Sequence, residues 1–298
     1  MQRPTRLLIL LIALAPACAP KVTVPSATKG SIQQAVISPE QTIPKRTDTW
    51  TFSPTNNTQQ YHSITKTRFQ LDDPDGLNDQ DTLAIITEFS AKIDQLHTPV
   101  IITGHVDNIL ISSGPRIGID PEKITFPIDF NGTVASGKLT LDITPSFGTS
   151  FNSNRCSALA QMVLGDIRTA IAIVPSLLQL HSTWTDTITT TTCTGREVSS
   201  DLKIVRSYTV IGEFDYAGMF LVLVRRAETT HTNGTGTQGQ HQIILKGQGS
   251  GSSDLYLNPR TGLVIIINAR HDSKIAINTS GHLQHFSQHF TQKITIQP

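Results

Sequence analysis

The chain has 298 residues, with 24 Lys and Arg against 23 Asp and Glu and a formal charge of +1. That balance, with no basic run longer than pairs such as Arg225-Arg226, excludes a nucleic-acid-binding surface. Charged residues make up only 16%, against about 25% in ordinary globular domains. Thr, Ser, Gln and Asn take their place, and threonine suits a pleated sheet because its branched Cβ packs well there. The length fits one large β domain or two smaller ones.

At the start, Arg3 and Arg6 precede an apolar run, Leu7 to Leu14, that is too short to span a bilayer. The sequence then reads Leu14-Ala-Pro-Ala17-Cys18. This resembles the lipobox of bacterial lipoproteins, with Ala15 standing where Leu is usual. The resemblance implies a signal peptide over residues 1–17, cleavage before Cys18, lipidation of its thiol and membrane attachment through that lipid. Ala19 in place of Asp implies sorting to the outer membrane, facing the periplasm or the cell surface. An ordinary Ala-x-Ala signal would also cut after Ala17, leaving Cys18 a lone exported thiol. Residues 19–46 hold Pro20, Pro25, Pro39 and Pro44 among polar residues and no sustained period, so they read as a flexible tether. Such a tether spans roughly 30 Å.

From about residue 47 to 298 the pattern is that of a β-rich domain. Residues 59–71 are expected to be extended and to end at the acidic turn Asp72-Asp73-Pro74-Asp75-Gly76. An EF-hand register on Gly76 puts Leu71 and Thr82 at ligand positions, so that loop fails and a solvated turn is expected. Leu83, Ile85, Thr87, Phe89, Ala91 and Ile93 alternate, as do Val100, Ile102, Gly104 and Val106, with His97-Thr-Pro99 as the turn between them. Asn131-Gly132 predicts a hairpin between strands 126–130 and 139–143, since both residues tolerate positive φ.

The convincing helix lies over about 156–174. Cys156, Leu159, Ala160, Val163, Leu164, Ile167, Ala170, Ile171 and Val174 form an apolar stripe, Gln161, Asp166 and Arg168 form a polar face, and Pro175 stops it. With Cys18 lipidated, Cys156 and Cys193 remain as a pair, expected to form a disulfide in an exported protein. Closing a loop of about 37 residues would contribute on the order of 3 to 4 kcal/mol. Two buried free thiols are the alternative.

After Cys193, strands resume over 203–213, with a turn at Asp215 to Gly218. The run Met219 to Val224 suits a strand buried on both faces. Further strands follow to Ile296, with Asn258-Pro-Arg-Thr-Gly262 as a turn. Asp48-Thr-Trp50-Thr and Ser182-Thr-Trp184-Thr each open a strand set, so 47–150 and 180–298 read either as related halves joined by helix 154–174 or as two edge strands of biased composition.

No catalytic set emerges. Gly234-Thr-Gly236-Thr-Gln-Gly239 has the glycines of a dinucleotide fingerprint, but a strand pattern follows it, so a hairpin loop is expected. His285 and His289 lie four strand residues apart, about 13 Å, too far for one metal ion. Trp184 and Asp186 read as a buried aromatic and a turn. No cofactor is implied, and a hydrolase has no recognisable nucleophile, base and orienter.

The expected fold is mainly β, one or two curved antiparallel sheets with the helix packed on a concave face. Such a sheet around a helix is similar to periplasmic lipoprotein-carrier folds, which can hold acyl chains. The order Cys156, helix, Trp184-Thr-Asp186, Cys193 resembles β-rich envelope lipoproteins. The lipobox-like leader, the tether and a helix that a curved sheet could partly release lead to the expectation of a non-catalytic, membrane-anchored binding module for an apolar or envelope ligand. The alternative is a scaffold pairing with envelope proteins through Thr-rich edge strands.

Overall fold

Period-2 alternation carries the chain into a closed barrel, seen in a computed structural model. The structure describes residues 48–53, 56–72, 79–113, 126–136, 138–143, 158–172, 174–194, 198–216, 218–238 and 240–297. The leader, Cys18, the tether, the acidic turn at 73–78 and Cys156 lie outside them.

The elements are β1 (Thr49–Thr51), β2 (Thr58–Asp72), β3 (Asp79–Asp94), β4 (Val100–Ser113), β5 (Ile128–Ala135), β6 (Lys138–Ile143), α1 (Ala158–Ala170), β7 (Leu177–Gln179), β8 (Thr183–Thr194), β9 (Val198–Tyr216), β10 (Met219–Gln238), β11 (His241–Leu257), β12 (Val264–Thr279) and β13 (His282–Ile296). Eleven strands close in the order β10-β11-β12-β13-β2-β3-β4-β5-β6-β8-β9. Up-down alternation cannot return to its start around a ring of odd number, so one neighbouring pair must run parallel. That pair is β6 and β8, joined in register only at Lys138–Thr187 and Leu139–Ile188.

The curved sheets expected from the sequence are therefore one closed wall. The two strand sets meet at β13–β2 and at β6–β8, and the two Thr-Trp-Thr segments take different places. Trp50 lies in β1, which pairs only with β7, whereas Trp184 lies in the barrel strand β8. The Thr-rich strand β8 is covered along one side by β9 and is met on the other by β6 at Thr187 and Ile188. The tight turn falls at 135–138 and not at Asn131-Gly132, which lies inside β5. Gly132 is needed there for closeness: a Cβ would come within 2.3 Å of the Thr140 carbonyl oxygen. The glycines at 234 and 236 likewise sit within β10, paired on both sides, and not in a loop. The turns at 95–99 and 258–262 fall as expected, the second pinned by Asn258 Oδ1 accepting from the Arg260 and Thr261 amides.

Helix α1 is inside the barrel, and it is shorter than the expected 156–174. Eleven strands enclose a backbone cylinder roughly 22 Å across, more than wall side chains fill. A helix about 10 Å wide fits that gap. Val163, Leu164, Ile167, Ala170 and Ile171, the predicted stripe, are buried against inward residues such as Phe89, Ile102, Phe130 and Leu139. The β1–β7 sheet plugs this end. Trp50, Phe52 and Leu178 are buried in the same core, and Phe52 and Ser53 donate to the carbonyls of Ser176 and Arg260.

Alternation sends apolar residues inward and polar ones outward. Lys66, Arg68, Lys203, Lys246, Arg270, Lys274 and Lys293 lie exposed on the outer wall. A membrane-spanning barrel reverses this, with an apolar band about 25 Å tall facing lipid. The charged side chains exposed on these strands depart from that pattern.

Candidate functional site

Some inward positions break the apolar pattern, and they converge on α1. On β2 these are Ser63, Thr65 and Thr67; on β3, Thr87; on β8, Asp186; on β9, Arg206; on β10, Arg226; on β13, Gln292. All are buried. The expected solvent-facing side of the helix is instead this polar lumen, with Asp166 and Arg168 each 5% exposed.

Two arginines hold the helix by its carboxyl end. Arg206 forms a fork on Asp186, Nε to Oδ1 at 2.6 Å and Nη2 to Oδ2 at 2.7 Å, and its Nη1 donates to the carbonyls of Arg168 and Ile171. Tyr208 adds a bond to Asp186 Oδ2 at 2.9 Å. Arg226 donates to the Thr169 carbonyl and to Ser253 Oγ. A helix ends with carbonyls lacking intrahelical partners and with the negative end of its dipole, and both favour cations there. The arginines take the carbonyls of Arg168 and Thr169 in the last turn and of Ile171 just past it, so the helix ends at Ala170, before Pro175, with these groups satisfied. Asp186, expected in a turn, is the strand carboxylate that holds Arg206, and Trp184 stacks on Tyr208 at 4.7 Å.

Asp166 is a buried carboxylate held by neutral donors. It accepts from Thr65 Oγ1 and Gln292 Nε2 on Oδ1 and from Thr87 Oγ1 on Oδ2, at 2.8–2.9 Å. Burial pushes its pKa up to about 6, against the hydroxyls of Thr87, Thr65 and Ser63, which favour the charged form.

Beside the helix lies a cavity of about 370 Å³. Thr65, Asp166, Arg168, Arg226, Glu228 and His271 line its polar side, and Phe69, Met162, Ile204, Ile275 and Phe290 its apolar side. Of the alternate glycines on β11, Gly247 lines this cavity, and the His271 ring fills the space beside the next two. A Cβ on Gly249 would come within 2.4 Å of the His271 ring, and Gly251 is similarly close. Burial holds the His271 pKa below the usual range. A second hollow, of about 650 Å³, lies on the outer wall among Arg68, Gln70, His231, Lys274 and His289. As expected, His285 and His289 share the outward face; His289 bonds Asp272 at 2.6 Å and His285 is exposed. Among the described residues, no three metal-ligating side chains converge. Cys193 ends β8, but its expected partner Cys156 lies outside the described residues.

No family model matches the sequence, and no curated protein matches it. Among solved structures, the chain aligns with Pseudomonas aeruginosa OccK2 (OpdF) in complex with glucuronate at a TM-score of 0.26 and 6% identity, covering 81% of this chain and 99% of that one. It aligns with Pseudomonas aeruginosa OpdQ at a TM-score of 0.20 and 7% identity, covering 82% and 100%. TM-scores this low do not mark a shared fold.

Arg206 and Arg226 were legible only as exceptions. Each stands in the inward register of an alternating strand, Arg206 between Ile204 and Tyr208, and Arg226 after Val222 and Val224.

The buried charges bear directly on stability. Arg206→Met leaves Asp186 buried without its cation and should cost about 3–5 kcal/mol in urea unfolding. Adding Asp186→Leu should recover part of that loss; purely additive costs would show that the two are not coupled. Asp166 has a folded pKa above the ordinary carboxyl value of 3.8, so the native state binds the extra proton between the two values. Stability should therefore fall as pH rises from about 4 to 6, by on the order of 3 kcal/mol at most. Asp166→Asn should flatten that slope, and unchanged slopes in paired melts would rule the assignment out.

Proposed function

We propose that this chain is a lipid-tethered envelope protein whose barrel binds a small amphipathic molecule in its lumen without transforming it. The cavity between α1 and the barrel wall carries the reading. At about 370 Å³ it falls within the range of small-molecule sites, roughly 300–1,000 Å³, and it joins apolar walls to a few placed polar groups. The buried Asp186 and Arg206 are occupied in holding the helix, which leaves them unsuited to proton transfer. The outer hollow is a weaker candidate, being lined mainly by polar and charged side chains.

Attachment falls to the lipidated Cys18 in this reading. With the charged wall facing water, Cys18 and the tether of residues 19–46 supply the membrane contact, and outer-membrane sorting follows from the lipobox resemblance.

The full-length protein, produced in a bacterium and purified from the envelope fraction, tests both parts. Intact mass should show cleavage before Cys18 with an acylated cysteine, and solvent extraction should release a small amphiphile in near-stoichiometric amount. An unacylated Cys18 would remove the tether. A lumen that yields no amphiphile and takes up none when it is added would remove the binding reading.

A further inference from the structure

The charges around the cavity are not all satisfied by the protein. Three buried guanidinium groups surround the helix end, and two have work to do. Arg206 is spent on Asp186 and the carbonyls of residues 168 and 171. Arg226 donates to the Thr169 carbonyl and Ser253 through its two Nη atoms, and its Nε, which has no hydrogen-bond partner among the described residues, has the Glu228 carboxylate as counter-ion 3.7 Å away. The third, Arg168, is 5% exposed and lines the cavity, and its Nη2 is buried with no hydrogen-bond partner among the described residues.

The local carboxylates do not answer it. Asp166 lies two residues earlier on α1, and residues at that separation do not face each other on a helix. Its two oxygens are taken by Thr65, Thr87 and Gln292. Glu228 stands against Arg226. A buried guanidinium without a counter-ion is costly, since burial alone disfavours its charge. Guanidinium also presents a planar fork matched to carboxylate or phosphate.

We propose that Arg168 is the headgroup site of the lumen and that the ligand is an anionic amphiphile, a carboxylate or phosphate monoester on an apolar chain. The anion sits on the Arg168 Nη2 edge, and the chain lies along Phe69, Met162, Ile275 and Phe290, which face the same cavity. This rests on the lumenal-binding reading above and narrows it to one ligand class.

Octanoate, octyl phosphate, octanol and octylamine share a chain and differ in head. Titrated into the full-length protein by calorimetry, the two anions should bind at least tenfold more tightly than octanol, and octylamine more weakly still. Arg168→Met should erase the preference for anions while keeping octanol binding, and Arg168→Lys should keep part of the preference. Equal binding of octanol and octanoate by the unsubstituted protein would overturn the headgroup assignment and leave the lumenal site standing. Retention of the anion preference by Arg168→Met, folded by circular dichroism, would overturn it equally. If none of the four binds, the lumenal reading falls with it. Should Arg168→Met fail to fold, the ranking of the four probes on the unsubstituted protein decides the question alone.

Discussion

The fold depends on how a helix is held inside a closed sheet. Eleven strands leave a lumen too wide for wall side chains to fill, so something must occupy it. A helix brings apolar side chains, but it also brings carbonyls at its end without partners, in a place poor in water. Arg206 resolves this by bonding Asp186 on the neighbouring strand with one edge and two helix carbonyls with its remaining nitrogen. The ion pair satisfies a charge on each side and ties three elements together. Removing either charged member leaves the other buried without its counter-charge, which is why the pair behaves as a unit.

That constraint divides the lumen. At the plugged end, the apolar stripe of α1 meets the inward residues of β3 to β6, and Trp50, Phe52 and Leu178 of the β1–β7 cap complete a dry core. The opposite face of the helix cannot be apolar, because the arginines and Asp166 stand there. It meets threonines and Gln292, and the result is a cavity with one polar and one apolar side. The cavity is what remains where the helix is held but not packed.

The closed wall also accounts for the surface. Pairing around the ring leaves fewer open edges that would invite other chains, and Thr183, Thr185 and Thr189 of the threonine-rich strand take exposed outward positions. The β6–β8 seam is the exception in quality, with two register pairs where other neighbours have six or more.

Local physics in the sequence determined a good deal: mainly β structure, strand alternation from residue 58 onward, the stripe of the helix, and the turns at 95–99 and 258–262. These depend on side chains within a few residues of one another, so periodicity and turn chemistry suffice to read them. The failures share one cause. Asn131-Gly132 looked like a turn because its glycine was read for conformational freedom, while β5 uses it for closeness to β6. Asp166 and Arg168 looked solvent-facing because polar residues on an amphipathic helix normally are, and only closure of the sheet around the helix put both faces inside. Arg206 and Asp186 lie 20 residues apart and the helix end a further stretch away, so their meeting belongs to the register of β8 and β9. Composition and period set which residues avoid water. Whether the polar remainder faced solvent or a lumen was decided by the closing of the ring.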